Sequence, residues 1–245
     1  NNLKNISAFS GSANYDNTKA AAGTVFLKYS NQQQYGNLII DDNNETSTAA
    51  SSTRLPLVGP GIASAVTASS LTGDGLAAWP VNGLAGLRVN PDVDQEESFL
   101  ILSNTVTELV VETPNENGID FSDVASVGAG YAGSWTFDNL FFQRGGSLES
   151  GDRLKVLDTV DIKEYGLLTH PETNTVYAAR LDLETKNLSI SSTGRIDVTG
   201  RGYLGGDKTG LAGIAHTVDF TAGANLGNGG SYGGLGGHYS GANSS

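Results

Sequence analysis

Between Leu140 and Val198 short apolar triplets keep returning, and they restrict what this chain can fold into more than any other feature. They are Leu140-Phe141-Phe142, Leu154-Lys155-Val156, Val160-Asp161-Ile162, Leu181-Asp182-Leu183, Leu188-Ser189-Ile190 and Ile196-Asp197-Val198. In most of them a polar residue separates two apolar ones, the pattern of a strand that buries one face. Strands this short are not stable alone and need neighbours above and below. Read as ladders, Leu140, Val160 and Leu181 align, as do Leu148, Leu167 and Leu188, and Val156, Val176 and Ile196, at a period of about 20 residues that suits stacked coils. The expected fold is all-β: a parallel β-solenoid (β-helix) with a small inserted antiparallel β-meander or barrel and a Gly-rich C-terminal segment.

Pattern changes along the chain divide it into four parts. Residues 1–54 are expected to form N-terminal solenoid coils, with strands at Thr24–Tyr29 and Asn37–Ile40, followed by a loop over Asp41–Ser52. Residues 55–127 carry longer alternating runs, at 63–68, 84–89, 98–103 and 106–112, and are expected to be the inserted β-module. Its core would be Trp79, Leu84, Leu87, Phe99, Ile101, Leu109 and Val111. Residues 128–206 return to solenoid coils. Residues 207–245 are a Gly/Tyr-rich end segment whose glycines are too frequent for a helix. Two readings of it stay open, a flexible linker and a packed Gly-rich lobe.

Charge and composition narrow the function. With 26 acidic against 14 basic residues the net charge is −12, which opposes a phosphate backbone, so nucleic acid is not an expected partner. There is no Cys and no Met, which removes the two side chains that oxidise most readily and leans toward an extracellular protein. No apolar run approaches the roughly 18–20 residues of a membrane span, so no membrane insertion is expected. The first residue is Asn, and no signal-like start precedes the patterned region, as in a mature or internal piece of a longer protein.

Residues that could carry chemistry are scattered. His170, His216 and His238 are far apart and show no close metal-ligand spacing. The acidic run Pro91–Glu97 offers Asp92, Asp94 and Glu96 as calcium candidates, because alternate carboxylates on an extended segment can point at one hard cation. A solvated turn is the plainer alternative, and the cluster Asp41-Asp42-Asn43-Asn44-Glu45 invites the same two readings. Asp138, Asp158, Asp161, Asp182 and Asp197 lie at or beside strand positions where a glycosidase-like carboxylate pair could form, since stacked strands are about 4.8 Å apart. Gly200-Arg201-Gly202-Tyr203-Leu204-Gly205 matches a dinucleotide-binding pattern, but β-like sequence follows it where a helix is required. No cofactor is expected, with calcium left open.

The runs AGTVFLKYSNQQQYGNLIIDDNN (22–44), WPVNGLAGLRVNPDVDQEESFLILSNTVTELVVE (79–112) and LSISSTGRIDVTGRGYLGG (188–206) resemble blocks of very large, repetitive bacterial surface and secreted proteins. These are adhesin-like proteins built from right-handed β-helix units. The resemblance implies an extracellular, non-enzymatic structural or adhesive unit at the cell surface or in a fibre, a stiff rod that stacks or self-assembles end to end. Its implied partners are further copies or tandem neighbours in a longer chain, and cell-surface glycans. Two alternatives remain: a carbohydrate-binding adhesin module using Trp135, Tyr165 or Tyr177, and a β-helix polysaccharide lyase or hydrolase.

Overall fold

The computed structural model describes Ala8 and residues 20–43, 51–75, 78–173 and 179–204. Among them the protein is all-β apart from one short helix. The strands are β1 (Gly23–Leu27), β2 (Asn37–Asp41), β3 (Thr53–Arg54), β4 (Gly61–Ile62), β5 (Ala65–Val66), β6 (Ser70–Thr72), β7 (Arg88–Asn90), β8 (Phe99–Asn104) and β9 (Glu108–Val111). After helix α1 (Phe121–Val124) come β10 (Gly130–Gln143), β11 (Ser147–Glu149), β12 (Arg153–Ile162), β13 (Leu167–Thr169), β14 (Leu183–Ile190) and β15 (Arg195–Ile196). The chain divides into two compact units, Asn1–Leu168 with Asp182–Arg195, and Thr169–Leu181 with Ile196–Ser245.

The expected parallel β-solenoid does not hold. The main sheet has 11 strands and is mixed, following β1-β2-β10-β7-β8-β9-β6-β5, with β12 and β4 also on β10 and β14 on β12. Seven of its ten described pairings are antiparallel. The physical reason is connection length. Three residues, Thr105 to Val106 to Thr107, join β8 to β9, and three join β5 to β6. Such links reverse the chain beside itself, whereas a parallel partner needs a long crossover. In the first of these turns the Thr105 hydroxyl accepts from the N–H groups of Thr107 and Glu108.

Parallel pairing within this sheet is confined to β2, β10, β12 and β14, and the expected ladders are only partly right. Leu140 lies opposite Leu38 and Val160, but the next rung is Leu188 in place of Leu181. Val156 lies between Phe137 and Thr185. Leu148 pairs with Thr53 in a second sheet of order β15-β13-β11-β3, so it shares no rung with Leu188. Val176 lies outside the described residues. A fixed period fails because the link between β12 and β14 is the longer one: Phe142 to Ile162 is 20 residues, Ile162 to Ile190 is 28.

A core forms in each part of the first unit. Val58, Ala63, Leu71, Trp79, Leu84, Val89, Phe99, Ile101, Leu109, Val111, Phe121 and Tyr131 are buried in one cluster, with Leu87 packed against it. Six of the seven core residues expected for segment 55–127 are in it. Phe99 meets Phe121 edge to face at 5.0 Å, and Trp79 meets Tyr131 at 6.1 Å, geometries that suit the ring quadrupole. In the parallel block Ile40, Leu140, Phe142, Leu154, Val160 and Ile162 are fully buried.

Asp152, just before β12, ties the two together. It is buried, and its carboxylate accepts from the backbone N–H of Val58 (2.7 Å), Gly59 (3.1 Å) and Gly133 in β10 (3.0 Å). The Val58 carbonyl in turn accepts from the Trp79 indole at 3.1 Å. Gly133 is required by space, because a Cβ there would overlap the Asp152 carboxylate.

Two predictions follow from this carboxylate. Gly133→Ala should cost roughly 3 kcal/mol in urea unfolding through overpacking, while Gly202→Ala, which meets only open space, should cost almost nothing. Burial raises the Asp152 carboxyl to about 6 against the pull of its three N–H donors. The folded state therefore favours the protonated acid, a contribution complete below the ordinary carboxylate range and lost as pH climbs through about 6. Relative to Asp152→Asn, the wild type should lose roughly 3 kcal/mol between about pH 4 and about pH 7. A gap that stays constant or widens in that interval would show that the acid is not held neutral by the fold.

Candidate functional site

The acidic loop between β7 and β8 is shaped by its own side chains. Asn90 Oδ1 accepts from the Asp92 N–H at 2.9 Å, and Asp92 Oδ1 from the Asp94 N–H at 3.0 Å, two Asx turns in succession. The Gln95 amide fills the centre of the loop, donating to Asn90 Oδ1 and to the Asp92 carbonyl. Glu96 leaves the loop and binds Arg153 Nη1 at 2.6 Å. Glu97 turns the other way and accepts from the side-chain amides of Asn117 and Asn115, which hold its carboxyl below the ordinary range.

The three calcium candidates are thus not brought to one point. Asp92 caps its own turn, Asp94 is exposed, and Glu96 belongs to an ion network in which Arg153 also meets Glu184 at 2.7 Å. Among the described residues no group of three His, Asp or Glu is placed to hold a metal. In the second cluster Asp41 pairs with Arg144 and caps Asn43, and Asp42 is buried; Asn44 and Glu45 lie outside the described residues.

The strand carboxylates are likewise committed one by one. Asp138 accepts from the backbone N–H of Tyr35 and Gly36, closing the turn between β1 and β2 onto β10. Asp158 accepts from Asn187 Nδ2 at 3.1 Å, Asp161 meets Lys163 at 2.9 Å, Asp182 faces Arg153 at 3.9 Å, and Asp197 caps Thr199. None of them is a registered partner of another; Asp138 and Asp158 both lie where the β10–β12 register shifts, and each has a hydrogen-bond partner of its own.

His170 is buried, which the sequence did not suggest; its Nδ1 is 2.7 Å from the Pro171 carbonyl and its own carbonyl accepts from Arg201. His216, His238 and Tyr177 lie outside the described residues, as do Gly205 and the 207–245 segment. Of the other aromatic candidates, Tyr165 is exposed at a turn, and Trp135 is half-buried and stacked on Phe137 at 6.1 Å. The Trp135 indole N–H is itself buried and finds no acceptor among the described residues.

The feature least like an ordinary monomer surface is β14. One edge pairs with β12, from Leu154↔Leu183 to Ile162↔Ile190, and no described strand pairs with the other. Leu188 and Ile190 occupy the same rungs as the fully buried Val160 and Ile162, yet they are 48% and 44% exposed. Their positions continue a row of buried side chains beyond which no described strand lies. The sequence pointed to Leu188-Ser189-Ile190 as a strand, but its place at an edge required the pairing itself.

Compared with models of protein families, with curated proteins and with solved structures, the chain matches none.

From the loop geometry, neither calcium nor a chelator should move the melting temperature. A rise with calcium that disappears in Asp92→Asn would show instead that the loop rearranges around the ion.

Proposed function

We propose that this chain is a non-enzymatic, extracellular structural and adhesive unit of a bacterial surface or secreted protein, and that it works by associating with further units through the open edge of β14. The observation that carries this reading is the exposure of Leu188 and Ile190 on the rungs of a buried core. Edge strands of monomeric proteins are commonly blunted by inward charges, proline or a covering loop. Here three of the four inward positions, Leu183, Leu188 and Ile190, are apolar, and an edge that no described strand pairs, beside exposed leucine and isoleucine, forms a template for another strand.

The resemblance of segments 22–44, 79–112 and 188–206 to adhesin-like repeats supports the extracellular setting, as does a chain without Cys or Met. A net charge of −12 opposes nucleic acid as the partner. The rod drawn from a solenoid has no place in this proposal, because the main sheet is mixed. A second reading, recognition of a surface glycan, is favoured by one observation: the half-buried Trp135 ring stacks on Phe137 at 6.1 Å, an aromatic pair of the kind that can carry a sugar face.

Association is measured by sedimentation and electron microscopy of the purified protein over a wide concentration range. Concentration-dependent assemblies are expected, and Leu188→Lys with Ile190→Lys should disperse them while leaving the circular dichroism spectrum unchanged. A particle that stays monomeric at every concentration would overturn the association reading. Glycan-array binding lost in Trp135→Ala would then move the function to sugar recognition.

A further inference from the structure

The side chains of β14 follow a pattern that reads the same in both directions. Leu183, Thr185, Leu188 and Ile190 lie opposite Leu154, Val156, Val160 and Ile162, which are all buried, so these four face the interior. Glu184 lies opposite Lys155 and is ion-paired to it at 3.7 Å, and Ser189 lies opposite Asp161, so these two face outward. Alternation breaks at Lys186 and Asn187, both exposed, where the β12 register shifts between Val156 and Thr159. Along β14 the order is therefore in, out, in, out, and then out, in, out, in. A strand of unbroken alternation could pair with its own copy in several registers, but here the break must meet the break, and one register remains.

In that register Leu183 faces Ile190 of the second copy, Thr185 faces Leu188, Glu184 faces Ser189 and Lys186 faces Asn187. Every inward side chain meets an inward one, and no like charges lie opposite each other. At the far side of the block all five residues of β2 are already paired with β1, from Gly23↔Asp41 to Leu27↔Asn37, so the edge a copy would meet there is that of β1, five residues long against the eight of β14. Resting on the reading of β14 as an association surface, we propose that two copies of this chain pair through β14, antiparallel and about a two-fold axis between Lys186 and Asn187. The contact is isologous and self-completing, so each copy covers the Leu188 and Ile190 of the other.

The chain has no cysteine, so single-cysteine variants report the register without background. Two copies of residue 186 lie one strand position apart across the axis, inside the Cα range of a disulfide. Two copies of residue 184 are five positions apart, about 17 Å along the strand. Under mild oxidation Lys186→Cys should give a covalent dimer and Glu184→Cys should not. Leu188→Lys should raise the dimer dissociation constant at least about tenfold, a loss of about 1.4 kcal/mol or more.

If assemblies form but Glu184→Cys cross-links and Lys186→Cys does not, the two-fold register is wrong while the open-edge reading stands. If the protein is monomeric and Leu188→Lys lowers its melting temperature as loss of a buried leucine would, a segment of the same chain covers the edge. The inference and the reading beneath it then fall together.

Discussion

One buried carboxylate holds two kinds of β-structure in register. Three N–H groups from residues distant in sequence converge on Asp152, and none would have water to turn to if it were lost. Leaving buried donors unpaired costs about 1–3 kcal/mol each, so the chain is committed to an acid at this point. Gly133 is committed with it, since only a residue without a Cβ lets β10 approach that closely. From this clamp β10 extends in both directions: its first half pairs antiparallel with β4 and β7, its second half parallel with β2, and β12 runs parallel along both halves.

The same strand explains why the sheet is mixed. Gly130 to Ser134 meet partners from a segment built of short reversals, while Ser134 to Gln143 meet strands that return after longer excursions. A parallel block grown in this way has two ends. At one end the five-residue β1 folds back antiparallel on β2; at the other, the eight-residue β14 ends on apolar side chains that face solvent.

Much of this could be seen in the amino-acid order. Alternation located β8, β9, β12 and β14 closely, and half of the buried core of segment 55–127 was read, because burial on one face of a strand leaves a period of two. Leu71 and Val58 were missed there: each lies on a short or isolated stretch where alternation has too few repeats to register, while Tyr131 joins the same core from β10, outside that segment. The ladders were right where the returning link is 20 residues long and wrong where it is 28, since a period measured on one link says nothing about the next. In the acidic loop Asp92, Asp94 and Glu96 alternate as ligands would, but Asp92 accepts from a local N–H group and Glu96 meets Arg153, which lies 57 residues away, and no local spacing shows either partner.

What the sequence determined by itself is that the described part of the chain is almost all β, which triplets are strands, and which faces of them are apolar, because these depend on side chains a few residues apart. Whether a strand runs parallel or antiparallel to its neighbour, that Asp152 is buried among N–H groups, and that Leu188 and Ile190 end a row instead of filling one were decided by the tertiary structure. Each of these depends on which distant segment arrives beside a strand. That choice is made by loop length and by the packing of the whole sheet, and no local pattern in the chain encodes it.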